Sequence, residues 1–249
     1  MVTVTIEPLR YITQQIAGDR LEVISLVPAG SSPETYDPTP RQMTDMARSV
    51  LYLQVGRLGF EKSWSKSLAQ TNPALKIIDT SAGVSYIGDD PHVWCSAANV
   101  LIIAGNVYHS LCDLSPVDSL LFRQNYEKFR NAVVQVDSLV RHELASLKNR
   151  AFLIYHPALT YFARDYALKQ ICIEEEGKEP TTAQMAALID TCKRLNVKRV
   201  LVQQEFDVEN ARAIAAELGG EAVVISPLNY QWDREMLHTA ALLKEKSHE

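Results

Sequence analysis

Short apolar runs alternate along this chain with longer segments in which apolar residues return every three or four positions. Runs of the first kind read as buried strands, and segments of the second kind as helices that pack by one face. In the first part of the chain this predicts strands at residues 2–6, 21–27, 50–55 and 75–79. Helices are predicted at 8–17, from 40, at 60–70 and at 97–111. Gly18 closes the first helix, and Thr39 with Pro40 opens the second as N-cap and first helical residue. Strands that alternate with helices in this way form parallel sheets.

One segment breaks the alternation. Residues 115–149 contain no Gly or Pro after Pro116, and Phe129, Val133, Val136, Val140, Leu144 and Leu147 recur at helical spacing. Ser115 as N-cap, Pro116 in the first helical position and Asp118 in the first turn predict a helix that starts there. At 1.5 Å per residue it would span roughly 50 Å, about three times an ordinary globular helix. Beyond it the alternation resumes. Strands are predicted at 151–155, 168–173, 198–203 and 221–226, with helices at 157–166, 181–195, 207–218 and 232–246. A Thr181/Gln184 capping box opens the 181–195 helix, and Gly219 ends the 207–218 helix. The fold class is therefore α/β, with two lobes that each carry a four-stranded, mostly parallel sheet flanked by helices. The expected domains are an N-terminal lobe at 1–114, a long linking helix at 115–149 and a C-terminal lobe at 150–249.

Composition narrows the function without naming it. The chain has 249 residues, 47% of them hydrophobic, enough to bury a core in each half. Its 30 acidic and 25 basic residues are interspersed, with a net charge of -5 and no basic run, which argues against a nucleic-acid partner. No apolar run is long enough for a membrane span. Cys95, Cys112, Cys172 and Cys192 lack metal-ligand spacing and read as free thiols.

In open parallel sheets ligands bind beyond the carboxyl ends of the strands, so the loops after strands are where chemistry is expected. The loop after the second strand holds Glu34 among four prolines that limit its freedom. Asp90-Pro91-His92-Val93-Trp94 follows the fourth strand, and Tyr155-His156-Pro157 follows the fifth, with His156 read as lying just before a helix that begins at proline. Taken singly, each is most simply a solvated carboxylate or a structural histidine. Together, one carboxylate and two imidazoles at strand ends are ordinary zinc ligands. His109, His142, His238 and His248 read as structural or solvent-facing. Asp165 reads as a local ion-pair partner of Arg164, and the Glu174, Glu175, Glu176, Lys178, Glu179 run as a solvated turn. Walker, nucleophile-elbow and HExxH motifs are absent from the sequence.

At these loops the sequence resembles the zinc- and manganese-binding receptors of bacterial metal ABC importers, a family of solute-binding proteins that includes adhesion lipoproteins. The 30–40 loop, Asp90-Pro91-His92-Val93-Trp94 and His156-Pro157-Ala158-Leu159-Thr160-Tyr161-Phe162-Ala163-Arg164-Asp165-Tyr166 carry the resemblance, which covers nearly the whole chain. It implies two α/β lobes on a helical spine, with a divalent metal ion held between them and delivered to a membrane permease. His92 and His156 match two ligand positions. Glu34 stands where the family commonly has histidine. Ser226, in Ser226-Pro227-Leu228, stands where the family usually has an aspartate, so water, a bidentate Glu34, another nearby carboxylate or Ser226 itself is left to complete the shell. Two nitrogens and a carboxylate favour Zn2+ over the alternative Mn2+.

The resemblance further implies a periplasmic or cell-surface protein, lipid-anchored at full length through a leader ahead of Met1, monomeric and without enzymatic activity. Two other readings use the same residues. One is a zinc metalloenzyme with Glu205 as its base. The other is a family member that has lost its metal and acts in adhesion.

Overall fold

The structure, a computed structural model, describes residues 1–174, 178 and 180–244. The described chain divides into two compact units, Met1–Gln135 with Leu228–Trp232, and Val136–Pro227 with the C-terminal stretch from Asp233.

In the first unit β1 (Val2–Val4), β2 (Val23–Ser25), β3 (Leu51–Gln54) and β4 (Lys76–Asp79) form one sheet in the order β2-β1-β3-β4. Every pairing is parallel, with Val2 opposite both Val23 and Leu51. The sheet is flanked by α1 (Glu7–Ala17), α2 (Pro40–Ala47), α3 (Gly59–Thr71) and α4 (Ala97–Leu114). β1 and β3 are wholly buried, as expected of central parallel strands covered on both faces. Local signals set the helix ends as predicted. The Thr39 hydroxyl accepts the Gln42 N–H while the Gln42 side chain accepts the Thr39 N–H. Gly18, at φ +60°, takes a backbone conformation that L side chains rarely adopt.

The second unit repeats the plan. β5 (Ala151–Ile154), β6 (Lys169–Cys172), β7 (Arg199–Gln203) and β8 (Glu221–Ile225) make a parallel sheet in the order β6-β5-β7-β8. Its helices are α6 (Thr160–Asp165), α7 (Thr182–Arg194), α8 (Val208–Glu217) and most of α9 (Trp232–Leu243). Leu153, Val200, Val202, Cys192 and Ala211 lie at the centre of its core, each fully buried.

The chain passes from one unit to the other within α5 (Ser119–Ala145). Phe129, Val133, Val136, Val140 and Leu144 are buried along it, as the spacing predicts. The helix is shorter than the 115–149 expected. Pro116–Asp118 is a 3-10 turn, and the Ser115 hydroxyl bonds the Asp118 carboxylate rather than capping a helix. Asp118 lies three residues on, within reach of the hydroxyl, and its other oxygen pairs with Arg20.

A second difference concerns α6. It begins at Thr160 rather than at Pro157, so Pro157 lies in a turn, closed by Ala158 N–H to the His156 carbonyl. The four cysteines are free thiols, Cys95 and Cys192 buried and Cys112 and Cys172 half-buried. Among the described residues no helix is long and apolar enough to cross a membrane. Glu175, Glu176, Glu179, residues 245–246 of the predicted last helix and His248 lie outside the described residues.

Candidate metal centre

In the first unit Glu34 and His92 come together from different loops. Pro33 and Pro38 are buried on either side of Glu34. Tyr36 ties the loop to α2 by donating to Gln42, whose amide in turn donates to the Leu26 carbonyl. Four prolines and these anchors leave the Glu34 carboxylate about a third exposed, with Oε1 3.8 Å from Nε2 of His92. That gap is too long for a hydrogen bond. Two ligands of one tetrahedral zinc, each about 2.0–2.1 Å from the metal, stand about 3.3 Å apart, so a shift of about half an ångström would let both reach one ion.

His92 is held from its other side. Asp90 Oδ1 accepts both the His92 backbone N–H and Nδ1, each at 2.8 Å. The Trp94 ring tilts against the imidazole at 5.2 Å, and Ser96 caps α4 just beyond. The Trp94 carbonyl accepts the indole N–H of Trp232. With its proton on Nδ1, facing Asp90, a neutral His92 carries its lone pair on Nε2, the atom nearest Glu34.

His156, in the second unit, follows β5 and is gripped in the same manner by residues that sequence reasoning missed. The buried Gln203 amide donates to the His156 carbonyl at 2.6 Å and accepts the His156 N–H at 3.3 Å. Phe206 stacks on the imidazole at 5.5 Å and 15°. Glu174 Oε2 lies 3.1 Å from His156 Nδ1, and its side chain is only 11% exposed. Glu174 is therefore not part of a solvated charge run. It sits at the carboxyl end of β6, the neighbour of β5, and the rule that singled out the other strand-end loops applied to it too.

The remaining sequence candidates are placed as follows. Ser226 lies at the end of β8, where its N–H donates to Glu235. Glu205 is half-buried in the turn after β7. Asp165 pairs with Arg164 at 2.7 Å, the local ion pair expected. His109, His142 and His238 are exposed on helices. Chemically, each unit presents an imidazole whose Nδ1 is fixed by a carboxylate. This outer arrangement orients metal-binding histidines and raises their basicity.

Comparison with known proteins adds to this geometry. The family model described as "ZnuA: Zinc-uptake complex component A periplasmic" matches residues 2–239. The chain is 25% identical over 248 residues to the high-affinity zinc uptake system protein ZnuA of Bacillus subtilis, covering 91% of this chain and 78% of that one. It is 24% identical over 250 residues to the zinc-binding lipoprotein AdcA of Streptococcus pneumoniae, covering 91% of this chain and 50% of AdcA. Among solved structures, a crystal structure of ZnuA is similar at TM-score 0.93, with 33% identity over 96% of each chain. A ZnuA deletion mutant with zinc bound is similar at TM-score 0.92 and 33% identity, over 96% of this chain and 95% of that one.

Proposed function

Since the chain belongs to the ZnuA family of periplasmic zinc-uptake components, we propose that it is an extracytoplasmic receptor that captures Zn2+ and hands it to an ABC importer. In this reading Glu34 and His92 of the first unit and His156 of the second bind one ion in a cleft shared by both. The metal is cargo, and no bond of it is transformed. The observation that carries the reading is the pairing of each imidazole Nδ1 with a carboxylate, Asp90 for His92 and Glu174 for His156. Ordinary surface histidines do not need such support, whereas metal-binding ones nearly always have it.

The ligand set favours zinc over manganese. Two borderline imidazole nitrogens with a single carboxylate suit a tetrahedral zinc ion, while manganese prefers more oxygen. One carboxylate leaves the bound dication with a formal charge of +1, and Asp90 and Glu174 stand behind the two imidazoles on their Nδ1 atoms. The fourth position falls to water, a second Glu34 oxygen or Ser226. The protein works as a monomer outside the cytoplasm, tethered by a lipid, with the importer's membrane permease as its partner.

The test is metal analysis of tag-free protein, followed by competitive titration with Zn2+ and Mn2+. One zinc per chain, with zinc displacing manganese, is the expected result. Absence of stoichiometric metal, together with no rise in melting temperature on adding zinc, refutes the reading.

A further inference from the structure

The turn between β3 and α3 touches both first-unit ligand loops, though it supplies no ligand itself. Glu61, 2% exposed in the first turn of α3, reaches back beneath it. The Glu61 carboxylate accepts the Thr5 hydroxyl at 2.5 Å and the backbone N–H groups of Val55 and Gly56 at 2.7 Å each and of Leu58 at 3.3 Å. Three backbone donors, two in the turn and one at the helix N-cap, are thereby satisfied by one side chain, and the turn is tied to the end of β1. Gly56, at φ +117°, sits against Asp79 and Ser81 so closely that a Cβ would overlap them.

From this fixed base two contacts reach outward. The Arg57 guanidinium lies 3.7 Å from the centre of the Tyr86 ring and donates to the Gly88 carbonyl at 3.3 Å. Tyr86 is itself anchored through its hydroxyl to Ser81 at 2.6 Å. Arg57 thus clamps the segment that runs through Gly88 and Asp89 into Asp90 and His92. On the opposite side, a Cβ on Gly59 would stand 3.3 Å from the Glu34 carbonyl oxygen, so the main chain at Glu34 rests against a position that only hydrogen fits comfortably.

We propose that the 55–59 turn is the positioning element of the first unit's metal ligands. Arg57 sets the His92 loop, Gly59 sets the main chain at Glu34, and Glu61 locks the turn that carries both. This rests on the reading that Glu34 and His92 bind metal. It assigns Arg57 and Gly59 a share in metal affinity, which neither residue type nor exposure would suggest, since the Arg57 side chain is 40% exposed. The physical reason is pre-organisation. Both ligand loops lack regular secondary structure, and any freedom left in them must be lost when an ion draws their donors together.

The experiment measures Zn2+ affinity by competition with a chromophoric chelator, alongside apo-protein melting, for wild type, Arg57→Ala, Arg57→Lys, Gly59→Ala and His92→Ala. Arg57→Ala is expected to bind zinc about 10-fold more weakly, no more than the smallest cost of losing a group bonded to a ligand itself, because Arg57 reaches His92 only through its loop. Arg57→Lys recovers most of that loss, because an ammonium can still lie over Tyr86 and donate to Gly88. Gly59→Ala weakens zinc while the apo melting temperature stays level or rises, because alanine favours the helix that starts there. Affinity within about twofold of wild type in Arg57→Ala and Gly59→Ala, with binding lost in His92→Ala, overturns the proposal and leaves the metal site standing. Losses that merely track apo melting temperature across the variants overturn it too. Wild-type affinity in His92→Ala refutes the ligand assignment, and the positioning role with it.

Discussion

Asp90 Oδ1 accepts the Nδ1–H and the backbone N–H of His92 at the same distance, 2.8 Å, so one oxygen fixes both the ring and the main chain of a single residue. Glu174 fixes the ring of His156 at 3.1 Å, and Gln203 fixes its main chain. The two imidazoles are thus oriented by the same chemistry divided differently among partners. Asp90→Ala and Glu174→Ala should each weaken zinc by about 10- to 100-fold, the usual cost of an outer-shell carboxylate. Competitive titration checks this, and affinities equal to wild type in both would show that the pairs are only structural.

Direct ligands should matter more than their supports. His92→Ala and His156→Ala are expected to lose more affinity than either carboxylate variant, whereas His142→Ala, exposed on α5, should bind as wild type does. Equal losses in all three variants would move the site elsewhere.

Glu61 gives stability its own pH signature. Burial is the largest influence on it and raises its pKa from 4.5 to about 6, against the lowering effect of its hydrogen bonds. A carboxyl raised in the folded state holds its proton more tightly there than in the unfolded chain. Its favourable contribution is fully present below pH 4.5 and is lost as pH rises through about 6. Relative to Glu61→Gln, wild type should therefore lose about 2 kcal/mol across that window. Denaturant unfolding at a series of pH values reads the difference, and parallel curves for the two proteins would contradict it.

Tyr166 in the second unit donates to Asp137 Oδ1 at 2.9 Å, while Arg141 donates to the other oxygen and lies over the ring. Burial and the Asp137 charge push the phenol well above the usual tyrosine range, so it remains a donor at any working pH. Tyr166→Phe should cost about 1–2 kcal/mol of stability through the lost hydrogen bond. Zinc affinity should not change. A shift in affinity without a shift in stability would give this residue a role that its contacts do not explain.

The secondary structure was largely legible in the sequence because it depends on short-range chemistry. Among the described residues the eight strands lie where the apolar runs put them, and the helices overlap the segments of helical spacing. Thr39, Thr181 and Gly18 mark helix ends through side-chain size and hydrogen bonds within a few residues. The errors were local competitions. Ser115 had two partners within reach and took Asp118, and Pro157 entered a turn rather than a helix.

Residue type and strand-end position made Glu34, His92 and His156 candidates, since few side chains offer metal donors and parallel sheets present ligands at one edge, and the resemblance of their loops to a known family narrowed the choice to them. What the sequence could not show was which groups support them. Glu174 stood in a run of charges whose simplest reading is solvated, Gln203 closed the predicted 198–203 strand, and Arg57 and Gly59 fell between the predicted 50–55 strand and 60–70 helix. Each acquires its role from a neighbour 18 to 47 positions away. Parallel pairing brings β5 beside β6 and β7, and β3 beside β4. Such contacts are set by the order of strands across the sheet rather than by their order along the chain, and that is why only the tertiary structure could decide them.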